Sequence, residues 1–202
     1  MVQVCLNGTR SAAGGPGVPM SPAEPARSAA EAVAAGATSV HVHPRTPCGH
    51  DSLSPRVLAP VLDALRARVR VPVGVTTGAW AEPDPAARLA RVRSWTALPD
   101  FASVNWHEPG AEEVAAELLA RGVGVEAGIW SGTEGARRFA DSPLGPVVKL
   151  PPSTRRAGLA ASGACSGGPP GRRPGGVPGP VPRTGRTGVG ARCGEWGHLP
   201  RP

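Results

Sequence analysis

Tyrosine is absent from this chain, lysine occurs once, and aromatic residues fill only 3% of its 202 positions. There is no run of 18 apolar residues, which excludes a membrane-spanning helix on the sequence pattern. The N-terminus passes from Met1 straight into VQVCLNG, without the charged head and apolar stretch of a secretory leader. Together these absences predict a soluble, cytoplasmic protein. The four cysteines, Cys5, Cys48, Cys165 and Cys193, show no CxxC or other paired spacing. That argues against a zinc ribbon or a disulfide framework and predicts reduced thiols.

Charge is unevenly spread. Residues 1–150 hold 14 basic and 14 acidic side chains, whereas residues 151–202 hold 8 arginines and a single acid, Glu195. The net charge of +7 therefore resides in the last quarter. That segment has no interleaved aromatics and no recognisable nucleic-acid module, so a nucleic-acid partner is not expected.

Up to about residue 150 the sequence alternates between β-branched apolar runs and Ala-rich helical periods. Strands are predicted at 2–8, 38–44, 71–77, 100–106, 123–129 and 146–150. The first helix opens on Ser21, Pro22 and Glu24 and stops at Gly36; the second opens on Ser54 and Pro55. Further helices are predicted at 84–95, 110–121 and 132–140. Strands apolar on both faces and separated by helices indicate parallel β/α units, an α/β fold. The turn after the first strand, GTRSAAGGPG, is not the GxGxxG of a dinucleotide-binding doubly wound sheet. A (β/α)8 TIM-type barrel accounts better for the regular repeat and would gather functional residues at strand C-terminal ends. Six strands leave it two units short. Residues 151–202 carry 13 Gly and 10 Pro and no apolar period, so they are expected to be a low-complexity, disordered basic tail. The Gly/Pro/Arg/Ala text is also what a GC-rich gene gives when read out of frame, and a frameshift near residue 150 is one explanation of it.

The segment SVHVHPRTPCGH places His41 and His43 on one face of a strand, with Val40 and Val42 on the other. Two imidazoles so placed suit a divalent metal such as zinc, and they are equally compatible with two hydrogen-bonded structural histidines. Polar residues end the other strands in the same layer. They are Asn7 with Gly8, Thr9 and Arg10; Thr76 and Thr77; Ser103 and Asn105 ahead of His107 and Glu108; and Glu126. Each alone has an ordinary role in a turn, cap or solvated loop. Together they mark a site.

VCLNGTRSA, SPAEPARSAAEAVAAGATSVHVHPRTPCG, VTTGAW and PDFASVNWHEPG, in this order and spacing, resemble the β-keto acid cleavage enzymes, typified by 3-keto-5-aminohexanoate cleavage enzyme. The resemblance covers about residues 2–150. It implies a (β/α)8 barrel with a divalent metal, usually zinc, in a homo-oligomer. It implies a reaction in which a β-keto acid and acetyl-CoA give acetoacetate and a new acyl-CoA. By the same resemblance, His41 and His43 match the metal-binding histidines and Arg45 the arginine that follows them, which with Arg10 is expected among the substrate-binding residues. Thr76, Ser103 and Asn105 fall where the family binds the substrate carboxylate. Arg10 stands where the lysine-fermentation enzyme has a glutamate that reads an amino group, and a cation there favours an anionic or neutral substrate tail. The family's third metal ligand, a late-strand glutamate, and its neighbouring aspartate base would fall within the tail. RCGEW (192–196) is only faintly similar to that segment, and no role is transferred to it; Glu126 is a substitute ligand to consider. Without the late-strand groups little turnover is expected. The competing readings are another metal-dependent barrel lyase or hydrolase and a catalytically inactive family member.

Overall fold

A computed structural model describes residues 2–8, 10, 18, 19, 21–145 and 148. In chain order its elements are β1 (Gln3–Cys5), α1 (Ala23–Ala34), β2 (Ser39–Val42), α2 (Pro55–Arg66), β3 (Val73–Thr76), α3 (Pro85–Arg93), β4 (Phe101–Asn105), α4 (Ala111–Ala120), β5 (Gly124–Gly128) and α5 (Gly135–Asp141). The first five predicted strands and all five helices are present. The predicted strand 146–150 and the tail 151–202 lie outside the described residues, apart from Val148. No helix among the described residues is long and apolar enough to cross a membrane.

Local chemistry sets the boundaries. Gly36 and Gly122 adopt φ of 105° and 76°, and the residue after each donates back into the helix, Ala37 N–H to Ala32 O and Val123 N–H to Leu118 O, both at 2.9 Å. This is the six-to-one closure that glycine permits, and it delivers the chain into the next strand. At α1 the structure shifts the expected start by a residue. Pro22 takes the cap position, and the Glu24 carboxylate reaches back to accept from Ser21 N–H at 2.8 Å. Asp84 caps α3 by accepting from Ala86 and Ala87 N–H at 2.8 and 2.9 Å. In α2 the apolar positions Leu58, Val61, Leu62 and Leu65 recur at helical spacing, and all are buried. One expectation differs: Cys48 is disulfide-bonded rather than a reduced thiol.

All five strands are parallel and lie in the order β1-β2-β3-β4-β5. The order never reverses, so these strands contain no topological switch point of the doubly wound kind. The sheet is also curved. Neighbouring strands are roughly 4.8 Å apart, so a flat sheet would separate β1 from β5 by about 19 Å. Yet Gln3 Nε2 on β1 donates to Glu126 Oε2 on β5 at 3.1 Å. Only a sheet bent into a trough brings those strands within reach of two side chains.

The strand alternation divides the sheet into two chemistries. Val40, Val42, Val73, Val75, Ala102, Val104, Val125 and Ala127 point to the convex side, each at most 2% exposed, where they join the core with Leu58, Leu62, Leu65, Trp95 and Leu118 from the helical layer. The concave side carries Gln3, His41, His43, Thr76, Phe101, Ser103, Asn105 and Glu126, as the registers Cys5↔His41↔Gly74↔Phe101 and Thr76↔Ser103↔Glu126 require. Glycines on this side make room for β4. A Cβ on Gly74 would stand 2.0 Å from the Phe101 ring, which in turn lies 6.4 Å from the His41 ring. Gly74→Ala is therefore expected to cost about 1–3 kcal/mol by overpacking, measured by urea unfolding. Adding Phe101→Ala should restore part of that loss; a double variant no more stable than Gly74→Ala would show that the ring is not the obstacle.

Candidate active site

His41 and His43 occupy successive concave positions at the C-terminal end of β2, each 4% exposed. Their ring centroids are 5.4 Å apart with the planes at 74°. Three contacts from different elements fix His43. The Asn7 amide pairs with its backbone, Oδ1 accepting from His43 N–H and Nδ2 donating to His43 O, both at 2.9 Å. A side chain thus continues the β1–β2 ladder where β1 itself ends. Trp80, in the segment after β3, stacks on the imidazole at 5.8 Å and 8°. Asp51 Oδ2 stands 3.7 Å from His43 Nδ1.

Burial, and then the neighbouring His43, push the His41 pKa down to about 3, so this ring is neutral at physiological pH. Between pH 6.5 and 3 an unfolded chain binds a proton at His41 that the folded protein excludes, so stability falls as pH drops through that window. In chelator-treated protein the single group is expected to cost about 2 kcal/mol between pH 7 and pH 5, since the slope approaches 1.4 kcal/mol per unit. Urea unfolding at the two pH values measures it. His41→Gln should flatten the dependence, and an unchanged slope would refute the assignment.

Both histidines have a buried Nδ1 without a hydrogen bond. Two imidazoles sharing a tetrahedral ion at roughly 2.0–2.1 Å would have ring centroids about 5 Å apart, so the observed spacing fits a shared cation. Among the described residues no third His, Cys, Asp or Glu completes a metal-binding group with them. Glu126 in particular is engaged by Gln3, and burial raises its pKa, partly offset by that hydrogen bond.

The other expected site residues are placed as follows. Thr76 is buried, and its Oγ1 accepts from Gly78 N–H at 3.1 Å, leaving the hydroxyl proton available for donation. Ser103 is its register partner on the concave face. Asn105 Nδ2 donates to Glu108 Oε1 at 2.8 Å, while its Oδ1 accepts from Trp130 Nε1 at 3.0 Å. The other Glu108 oxygen accepts from Ala79 N–H at 3.0 Å. Asn105 is thereby oriented with one N–H already committed. Arg45 is buried, with its terminal nitrogens donating to Gly49 O at 2.9 Å and Gly8 O at 2.7 Å and its Nε 3.4 Å from Asp51 Oδ1. Its guanidinium ties the ends of β1 and β2 together. Arg10 is exposed, and its Nε donates to Asn7 O at 3.2 Å. Sequence reasoning missed Asp51 and Trp80, which reach the site from loops without periodic pattern. The GH pair before Asp51 hints only at a turn.

Consecutive parallel strands, with their helices on one side and buried polar groups collected at the strand ends on the other, define a β/α-repeat protein with a concave site. The beta-keto acid cleavage enzyme family pattern matches residues 1–130, and the chain belongs to that family. No curated protein matches it.

Proposed function

We propose that the protein is a metal-dependent β-keto acid cleavage enzyme that combines a β-keto acid with acetyl-CoA to give acetoacetate and a new acyl-CoA. The observation that carries the reading is the pair of buried imidazoles, one of them held neutral, on the same concave face as Thr76, Ser103 and Asn105. The unreversed strand order and the trough shape support a (β/α)8 barrel as the parent architecture; composition makes residues 1–150 its catalytic part and 151–202 a low-complexity tail.

His41 and His43 would hold the cation. When bound, a divalent cation such as zinc supplies Lewis-acid polarisation of the keto group. Thr76 and Ser103 offer hydroxyl donors, and Asn105 its second N–H, to the substrate carboxylate, fixing the reacting carbon towards the thioester. The buried Glu108 carboxylate accepts from Asn105 Nδ2 and holds that amide in orientation. Arg10, at the exposed rim, favours substrates whose tail is anionic or neutral.

The test is to titrate chelator-treated protein with zinc and then assay acetoacetate release from a panel of β-keto acids with acetyl-CoA. Zinc binding with metal-dependent release, even at the low rate expected without the late-strand groups, supports the reading. Zinc-loaded protein that neither binds β-keto acid anions nor forms acetoacetate overturns the reaction; absence of zinc binding overturns the metal.

A further inference from the structure

Residues 44–52 fold back on themselves directly after β2. Thr46 N–H donates to His50 O at 2.9 Å, Gly49 N–H to Thr46 O at 2.8 Å, and Ser52 N–H to Pro44 O at 2.9 Å, with Arg45 and Asp51 bridged as an antiparallel pair. Gly49 makes the reversal possible with φ of 82°. The consequence is that a carboxylate six residues beyond Arg45 returns to the strand end. The Asp51 side chain is 11% exposed and lies between Nδ1 of His43, 3.7 Å from Oδ2, and Nε of Arg45, 3.4 Å from Oδ1. His43 Nδ1, Arg45 Nε and Asp51 Oδ1 are all buried without a hydrogen bond, and they face one another. Arg45 is anchored from behind by the carbonyls of Gly8 and Gly49, so the carboxylate is the movable member.

We propose that Asp51 is a positioning residue that accepts the Nδ1 proton of His43 and so presents the Nε2 lone pair of that ring to the cation. This deepens the reading above and rests on it. A carboxylate oxygen that accepts from Nδ1 selects the tautomer protonated there and leaves the Nε2 lone pair free. Such a carboxylate behind a metal-binding histidine fixes the ring's orientation and raises its basicity. A gap of 3.7 Å exceeds a hydrogen bond, and rotation of the short Asp51 side chain closes it. His43 is then determined on every axis: its backbone by Asn7, its ring plane by Trp80 and its protonated nitrogen by Asp51.

Two measurements on the full chain test this. Long-range 1H–15N NMR of the chelator-treated protein reads the His43 tautomer, with the resonance assigned by its loss in His43→Gln. Competition with a chromophoric chelator reads the zinc dissociation constant. Wild-type protein should show the Nδ1–H form. Asp51→Ala should lose that bias and bind zinc about 10–100-fold more weakly. Asp51→Asn, which keeps a carbonyl acceptor without the charge, should fall between, and Asp51→Glu should recover part of the loss. If Asp51→Ala does not fold, as judged by circular dichroism, the Asn variant carries the comparison. Unchanged tautomer and unchanged affinity in the folded variants overturn the proposal. Should wild-type protein bind no zinc, the metal reading fails, and the tautomer comparison alone decides the role of Asp51.

Discussion

Alanine at His41 or at His43 is expected to weaken zinc binding by more than about 100-fold, beyond the 10–100-fold range that losing an outer partner produces. Each imidazole is buried and points into the trough, so neither is replaced by a neighbour when it is removed. Competition titration distinguishes the two cases directly. The double variant should bind no more tightly than zinc binds to scattered surface groups. The fold should survive, because the convex valines and the helical layer, not the histidines, make up the core. If either single variant retains wild-type affinity, the cation is held elsewhere and the reading of these two residues is wrong.

The second large effect concerns stability. Trp106, one residue beyond β4, is 1% exposed and meets Phe139 of α5 edge to face at 5.0 Å and 86°. Trp106→Ala is expected to cost about 3–5 kcal/mol, the range for a large aromatic side chain removed from a packed core. Against the 5–15 kcal/mol typical of a whole domain, that brings the protein close to unfolding at ambient temperature. Trp130, 40% exposed and joined to Asn105 by one hydrogen bond, provides the contrast: Trp130→Ala should cost about 1 kcal/mol. Paired urea curves test the difference, and equal losses would mean that α5 does not dock through Trp106.

Much of this arrangement was legible in the residues themselves. Helix stops at Gly36 and Gly122, the alternation of Val40 and Val42 with His41 and His43, and the recurrence of polar residues at strand ends all follow from local rules. What escaped sequence reasoning depends on distant partners. The sequence predicts a first strand over 2–8, but its ladder ends at Cys5 because the Asn7 side chain takes over the pairing with His43. The resemblance places Arg45 among the substrate-binding residues, and only the approach of Gly8 and Gly49 and the return of Asp51 reveal how fully its donors are engaged. Asn105 and Glu108 are three residues apart, yet no pattern signals that one orients the other. The concave face itself could be inferred from alternation, whereas its curvature required the Gln3–Glu126 contact.

The segregation of valines to one side of the sheet and polar groups to the other makes this scaffold modular in a specific sense. On the proposed reading, exchanging half-buried Ser103 or exposed Arg10 would alter which acid is recognised with little effect on the core beneath, whereas Thr76, buried and accepting from Gly78 N–H, is tied to the fold.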